Sequence, residues 1–195
     1  MERFYFEVPT IDRKKDAIDF LKEFKDYGSN TYGTGGFYRY YPDNYEGWLE
    51  KLEFDRNREI DEEHVPSETF FLVRESDRRF IGMINIRLAL NEKLRQYGGN
   101  IGYSIRPTER GKGYNNINLY WGLKFCNKHN IEEVLLDADL ENPASWKTME
   151  AMGGVRIREY FDAEHDHTMT VDYKINVKKA LIKCAKYEEF VVNKD

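Results

Sequence analysis

Apolar residues recur at helical spacing in several stretches of the chain. Residues 13–27 place four apolar side chains on one face of a helix, and residues 45–54 place a tryptophan and two leucines in a similar way. Residues 117–126 and the tail at 177–190 also indicate helices. Between the first two helices, the glycine-rich stretch 33–36 predicts a flexible loop.

Short apolar runs bounded by turn residues predict the strands. The first two runs are joined by a short polar turn and predict a hairpin, as do the last two. The six predicted strands cover residues 69–73, 80–86, 101–105, 134–138, 155–161 and 168–175. Strands and helices are interspersed without an internal repeat or a linker, so the pattern predicts one mixed α/β domain.

A short helix at residues 142–152 has recognisable signals at both ends. Asn142 is a favoured N-cap residue, and Pro143 suits the first helical position because that position needs no amide hydrogen. Two glycines end the helix. Residues 88–96 predict a helical turn.

Composition narrows the class of protein. The chain has 195 residues, 41% of them hydrophobic, which suffices for one buried core without a second domain. A formal net charge of −5 leaves no basic excess to neutralise a nucleic-acid backbone, so nucleic acid is not an expected partner. No uncharged apolar run approaches the roughly 18 residues of a membrane helix, and no signal-peptide pattern is seen. Cys126 and Cys184 are too few for a disulfide framework, so free thiols in a cytoplasmic protein are expected.

The most specific pattern is a glycine-containing basic turn at residues 106–116. It follows the predicted strand 101–105 and opens a predicted helix. Such a turn directs backbone N–H groups and the positive end of a helix dipole at one spot, and Arg110 and Lys112 stand beside it. The spacing excludes a Walker loop and a three-glycine dinucleotide fingerprint. The turn therefore predicts a phosphate site of another kind.

Residues 102–114 resemble the acyl-CoA signature of the GNAT family of N-acetyltransferases. The core of that signature corresponds here to Arg110, Gly113 and Asn115. Asn115 departs from the family pattern, because a small residue usually stands there and lets the helix start approach the pyrophosphate.

The resemblance covers roughly residues 20–175. Within the family, the chain resembles a bacterial branch of uncharacterised predicted acetyltransferases. Asn142, with Ser145 three positions on and a closing glycine, is similar to the family's second cofactor element. The resemblance implies an α/β fold of the α+β mixed type, with a central mixed twisted sheet flanked by helices. It implies a single acyl-CoA N-acyltransferase-like domain over residues 1–195, in which 177–195 form a C-terminal extension.

The implied function is transfer of an acetyl group from acetyl-CoA, the co-substrate, to a primary amine in a ternary complex. The residues that the resemblance implies for cofactor binding are Tyr103, Ser104, Ile105, Arg110, Gly111, Lys112, Gly113, Tyr114, Asn115, Asn142 and Ser145. The strand 103–105 would hold the pantetheine arm, and a backbone N–H at or near Ile105 would polarise the thioester carbonyl.

The catalytic groups are less clearly marked. Many relatives carry a proton-donating tyrosine at the position of Met149, and methionine has no proton to donate. Tyr103 or a water molecule would then protonate the leaving thiolate. Asp137 and Asp139 share one face of a predicted strand and are candidate bases, because two close carboxylates raise each other's pKa. They are equally consistent with an exposed sheet end, and Glu92 is a third candidate.

Other interpretations stay open. His165 and His167 flank Asp166, but without a third ligand nearby a solvated loop is favoured over a metal site. The acidic surface favours a small amine or lysine-like acceptor, and the sequence leaves a homodimer open. The alternative function is a noncatalytic acyl-CoA-binding or protein-interaction module on the same fold, motivated by Asn115 and Met149.

Overall fold

The computed structural model describes residues 2–163 and 167–192. The strands within these ranges are β1 Phe4–Glu7, β2 Ser67–Arg74, β3 Phe80–Arg87, β4 Ile101–Ile105, β5 Glu133–Asp139, β6 Val155–Asp162 and β7 Thr168–Asn176. The helices are α1 Lys14–Asp26, α2 Tyr45–Asn57, α3 Glu92–Gln96, α4 Tyr114–Lys128, α5 Pro143–Ala151 and α6 Val177–Lys183. The predicted α/β class is confirmed.

The first sheet has the order β1-β2-β3-β4, and every pairing in it is antiparallel. The hairpin predicted from the second and third strands is confirmed by the register, in which Phe71 lies opposite Met83. β1 was not predicted, because its four residues are too few for a periodic pattern. It is nevertheless well anchored, since Phe4 and Tyr5 are buried.

The second sheet has the order β5-β7-β6 and is also antiparallel. The expected central sheet is therefore divided in two between β4 and β5. Two hydrogen bonds between Asn100 and Leu135 help to join the halves at this boundary. The Asn100 N–H donates to the Leu135 carbonyl at 2.7 Å, and the Asn100 side-chain oxygen accepts from the Leu135 N–H at 2.9 Å. The Asn100 side-chain oxygen thus accepts the hydrogen bond that a backbone carbonyl would accept in a continuous sheet. Beyond this point β4 and β5 separate.

Helices bury the faces that the periodicity predicted. Ala17, Phe20, Leu21 and Phe24 of α1 are buried, as the spacing required. An aromatic cluster under α1 and α2 includes a stacked pair, Phe20 and Phe80, with ring centroids 4.3 Å apart. A second cluster lies between α4, α5, α6 and the strands of both sheets. The two sheets consequently share one continuous set of covering helices.

Several element boundaries differ from the predictions, and two of the differences concern α4 and the tail. α4 begins at Tyr114, three residues before the predicted start, because the left-handed Gly113 (φ 78°) supplies the N-cap. The predicted tail helix is divided into α6 and a 3-10 helix, Ala185–Phe190. Polar residues at the start of α4 and in the tail concealed these boundaries from a pattern of apolar spacing.

The loop at residues 33–36, predicted to be flexible, is closely packed. A Cβ on Gly33 would lie 2.3 Å from the Cα of Tyr103, so the loop touches the backbone of β4. The Gly35 carbonyl accepts hydrogen bonds from the Trp48 indole at 3.1 Å and from the Lys51 ammonium at 3.0 Å. Glycine is required at position 33 by this contact and by its φ of 69°.

We predict that Gly33→Ala destabilises the protein far more than Gly28→Ala. Both glycines are left-handed, with φ of 69° and 59°, but a Cβ at position 28 would meet nothing within 4 Å. Gly28→Ala should therefore cost about 1–2 kcal/mol of conformational strain. Gly33→Ala should cost about 3 kcal/mol or more, because steric overlap with β4 is added. Equal midpoints of urea unfolding for the two variants would contradict the close contact.

Candidate active site

A cavity of about 910 Å³ opens where β4 and β5 part. Its walls come from the ends of these strands, the starts of α4 and α5, and the loop after α1. The volume lies within the range of roughly 300–1,000 Å³ that is typical of small-molecule and cofactor sites. Most of the residues that the sequence singled out meet in this one space.

The basic turn forms one end of the cavity. Gly111 and Gly113 have φ of 76° and 78°, and a Cβ on either would meet nothing within 4 Å. Gly113 is the N-cap of α4 and brings no side chain to cover the first helical N–H groups. The helix dipole and these amides make this end of the cavity attractive to an anion.

The two cations of the turn are placed differently. Arg110 lines the cavity, where its guanidinium donates to the Ile105 carbonyl at 3.2 Å and to the Ser29 hydroxyl at 3.1 Å. Burial lowers the pKa of Arg110. Lys112 instead pairs with the Glu109 carboxylate at 2.7 Å. Arg110 is therefore the side-chain cation of the turn that faces the cavity.

A buried arginine that sequence reasoning missed holds the turn in place. The Arg106 guanidinium lies 2.8 Å from both the Asp19 and the Glu23 carboxylates and donates to the Phe80 carbonyl at 2.9 Å. Burial alone would raise the pKa of Glu23, but hydrogen bonds from the Thr108 N–H and Arg106 lower it. α1 thus fixes the base of the phosphate turn through charge-assisted bonds.

Tyr103 crosses the gap between the two sheets. Its hydroxyl lies 3.1 Å from the Ser145 hydroxyl and donates to the Ser145 carbonyl at 3.2 Å, at the start of α5. Burial raises the pKa of Tyr103, and hydrogen bonds from Ser145 and Asn115 oppose this shift. Ser104 and Ile105 line the cavity next to it. A protonated phenol therefore stands where β4 and α5 approach each other.

Two residues that were predicted to bind the cofactor, Tyr114 and Asn142, make contacts that differ from those expected. Tyr114 lines the cavity, but its phenol contacts the Glu2 carboxylate and its ring packs on Phe4, with centroids 4.8 Å apart. Asn142 lines the cavity and stands at the N-cap of α5, but its side chain makes no capping hydrogen bond. The expectation of a side-chain cap at Asn142 was wrong, because the exposed side chain does not turn back to the helix.

The carboxylates line the wall formed by β5. Asp137 and Asp139 both line the cavity, and the Asp137 carboxylate accepts the Gly98 N–H at 2.9 Å. Burial is the main cause that raises the pKa of Asp137, opposed by Gly98 and Arg87. The expected cause, repulsion between neighbouring carboxylates, is secondary and comes from the charge of Asp162.

The remaining candidates fall outside this arrangement. Glu92 is exposed at the start of α3, where its carboxylate accepts from Gln96 at 3.1 Å, and the cavity is lined by Leu94 and Tyr97 instead. Met149 is buried in the core and offers no proton. The cavity residues that sequence reasoning missed include Ser29, Tyr32, Tyr38, Arg87, Tyr97, Asp162 and Thr170. The clustering of tyrosines and glycines between α1 and α2 is the sequence feature that could have indicated that this loop contributes to the cavity.

The described residues contain no group of three or more His, Cys, Asp or Glu side chains that could hold a metal ion. His165 and Asp166 lie outside the described residues. In the described part of the chain, no helix is both long enough and apolar enough to cross a membrane. Both cysteines are buried free thiols, as expected.

Comparison with known proteins identifies the class. The family model for the acetyltransferase (GNAT) domain matches residues 9–155, so the chain belongs to the GNAT acetyltransferase family. No curated protein matches the sequence.

Several solved structures share the fold at low sequence identity. A spermidine N-acetyltransferase chimera from Vibrio cholerae is 15% identical, with a TM-score of 0.61 over 92% of this chain and 98% of that chain. A ribosomal-protein-S5-alanine acetyltransferase from Vibrio fischeri is 12% identical, with a TM-score of 0.69 over 90% and 94%. A putative acetyltransferase from Acinetobacter baylyi is 14% identical, with a TM-score of 0.64 over 90% and 93%. These likenesses extend over nearly the whole chain and concern the fold.

We predict that Asp137→Asn stabilises the protein at pH 7. Burial raises the folded-state pKa of Asp137 above the unfolded value of about 3.9, so ionisation disfavours the fold as pH rises past that value. Asparagine keeps an acceptor for the Gly98 N–H and carries no charge. The gain in the free energy of unfolding should therefore shrink as the pH is lowered from 7 towards 4.

Asp77→Asn is the matched control, because it should change the free energy of unfolding at pH 7 in the opposite direction. A hydrogen bond from Arg74 lowers the pKa of Asp77 to about 2. Its ionised form stabilises the fold above about pH 4, and that contribution is lost as the pH falls towards 2. Asp77→Asn should therefore destabilise the protein at pH 7. A destabilisation of equal size in both variants would refute the conclusion that burial outweighs the hydrogen bond from Gly98 and the charge of Arg87 at Asp137.

Proposed function

We propose that this protein is an acetyl-CoA-dependent N-acetyltransferase that moves an acetyl group to a primary amine by direct transfer in a ternary complex. One observation carries the proposal. An anion-attracting helix start, the end of a strand with one open edge, a protonated phenol and a partly buried carboxylate line the same cavity. These are the groups that acyl transfer from a thioester requires.

The cofactor end of the cavity fits a diphosphate. Gly111 and Gly113 leave open space where a Cβ would stand, and Arg110 adds a charge beside them. In the described sheets β4 pairs with β3 alone, so its other edge is available to the amide groups of a pantetheine arm. Asn142 and Ser145 would hold that arm from the side of α5. When bound, acetyl-CoA supplies a thioester whose carbonyl carbon accepts an amine.

The chain's own residues then move the protons. Asp137 would take a proton from the acceptor ammonium, because its raised pKa brings it closer to that of a working base at neutral pH. A backbone N–H at or near Ile105 would polarise the carbonyl oxygen. Tyr103 would give its hydroxyl proton to the departing sulfur. Asp139, on the same wall, would support the charge of the acceptor.

The wall opposite the turn suits a cationic acceptor. Asp137, Asp139 and Asp162 line the cavity from β5 and β6, and Tyr32 and Tyr38 line it from the loop after α1. Carboxylates attract ammonium groups, and tyrosine faces add cation–π attraction. The solved neighbours named above are described as acting on spermidine and on a ribosomal-protein alanine, which are both amines. We therefore infer a small amine or lysine-like acceptor.

A noncatalytic acyl-CoA-binding or interaction module is the second candidate. The burial of Met149 at the usual position of the donor tyrosine favours it. A cytoplasmic location, a single functional domain over residues 1–195 and a homodimer complete the proposal. Size-exclusion chromatography with light scattering measures the last of these.

We predict that Asn142→Ala weakens acetyl-CoA binding while stability is kept. The Asn142 side chain is exposed and makes no capping hydrogen bond, so its removal should change the free energy of unfolding by no more than about 0.5 kcal/mol. Calorimetry should give a Kd roughly tenfold higher, the usual effect of losing a well-placed hydrogen bond. Exposed Glu141→Ala, the preceding residue, is the control and should keep both values. Wild-type affinity in Asn142→Ala would remove this residue from the site.

The decisive experiment is a thiol-release assay with acetyl-CoA and a panel of polyamines, amino acids and lysine peptides. We predict release with at least one amine and about 10²–10⁴-fold slower turnover in Tyr103→Phe, the range of general acid–base catalysis. The substitution keeps the ring, so the Kd for acetyl-CoA should persist. Binding without release for every amine would favour the noncatalytic module, and full activity of Tyr103→Phe would leave water as the proton source.

A further inference from the structure

One cation in the wall of the cavity has no role so far. Arg87, the last residue of β3, lines the cavity together with two other cations, Lys93 and Arg110. Lys93 pairs with the Glu63 carboxylate at 2.7 Å, and Arg110 faces the end of the cavity that suits a diphosphate. Among the described residues, no carboxylate forms an ion pair with Arg87. Arg87 is therefore a cavity cation without an ion-pair partner.

The Arg87 guanidinium is held through one nitrogen, and its other two nitrogens are open. Nη1 donates to the Gly98 carbonyl at 2.8 Å and to the Gly99 carbonyl at 2.7 Å. Nε and Nη2, which share one edge of the planar group, donate to no acceptor among the described residues. Neither nitrogen is fully enclosed by protein, so the edge is accessible from the cavity that Arg87 lines. Two parallel N–H donors on one edge match the two oxygens of a carboxylate.

Arg87 lies too far from the basic turn to share its anion. The Arg87 N–H donates to the Asn100 carbonyl at 2.8 Å, and the guanidinium contacts Gly98 and Gly99, which precede Asn100. β4 then runs to Ile105, where the turn follows. A strand rises about 3.3 Å per residue, so roughly 16 Å of chain separates Asn100 from Ile105. The anion for which Arg87 is placed is therefore not the diphosphate.

The same residue holds both this guanidinium and a carboxylate. The Gly98 N–H donates to the Asp137 carboxylate at 2.9 Å, and the Gly98 carbonyl accepts from Arg87. The two charged groups are thus close enough for one small molecule to contact both, although they form no ion pair with each other. Burial lowers the pKa of Arg87, and the charge of Asp137 opposes this shift. A ligand with adjacent amino and carboxyl groups would satisfy both residues.

We propose that Arg87 binds a carboxylate of the acceptor through its Nε and Nη2 edge, so that the acceptor is an amino acid whose amino group lies at Asp137. This inference rests on the proposed acetyltransferase function and narrows the acceptor from amines in general to those that carry a carboxylate. A purely cationic amine would gain nothing from a guanidinium beside Asp137, because like charges repel. The product is then an N-acetylated amino acid.

Equilibrium binding tests this inference without requiring turnover. Each amino acid of a panel is paired with the amine that lacks its carboxyl group, such as alanine with ethylamine and lysine with cadaverine. Both are titrated by calorimetry into the protein with excess coenzyme A. We expect at least one amino acid to bind about 10–100-fold more tightly than its amine, the usual effect of hydrogen bonds between charged groups. Amines that all bind as tightly as their amino acids would overturn the inference.

Substitutions then locate the preference. Arg87→Gln removes the charge and the two-donor edge but keeps an N–H group for the Gly98 and Gly99 carbonyls. It should bind the amino acid and its amine within about twofold of each other, and a retained preference would contradict the assignment. Arg95→Gln, on the exposed end of α3, should keep the wild-type preference. If Arg87→Gln does not fold, Arg87→Lys retains the charge without the edge and should bind the amino acid roughly tenfold more weakly than the wild type.

The thiol-release assay with the same pairs distinguishes the acceptor class from the reaction. In the wild type, kcat/KM should favour the amino acid by about the factor seen in binding, and in Arg87→Gln it should not. Thiol release that is equal for amines and amino acids would keep the acetyltransferase and overturn the carboxylate site. A binding preference without thiol release from any compound would keep the carboxylate site and defeat the proposed function.

Discussion

The site depends on the exchange of two hydrogen bonds between Asn100 and Leu135 where the two sheets meet, one of them to the Asn100 side chain. A side-chain oxygen takes the place of a ladder carbonyl there, so the pairing of β4 with β5 stops after this point. The open edge of β4 and the wall of β5 both border the cavity that results. Had the ladder continued, Tyr103 and Asp137 would lie in a closed sheet without space for a ligand.

The cavity is electrically divided, and the division corresponds to the two halves of the fold. The end formed by Arg110 and the start of α4 is positive and suits a diphosphate, whereas the wall of Asp137, Asp139 and Asp162 suits an ammonium. Arg106 keeps the positive end rigid through α1, because its buried charge is fully paired with carboxylates.

Much of the secondary structure was predictable, because local rules specify it. The spacing of Phe20 and Leu21 defined a buried helix face, and the signature around Gly113 indicated both the strand and the helix that flank it. The predictions were less accurate for properties that depend on burial in the folded protein. The loop at Gly33 is pressed against β4 rather than flexible, and the pKa of Asp137 is raised by burial more than by a neighbouring carboxylate.

The sequence by itself determined the class of fold and the place of the anion-binding turn, since left-handed glycines before a helix produce that geometry through local backbone preferences. Only the tertiary structure decided which side chains share the cavity. It brought Ser145 to the phenol of Tyr103 and Thr148 to the amide of Asn115, and it left Glu92 exposed elsewhere. The physical reason is that hydrogen bonds and desolvation act over a few ångströms, and residues distant in sequence reach that range only through packing of the two sheets and their helices.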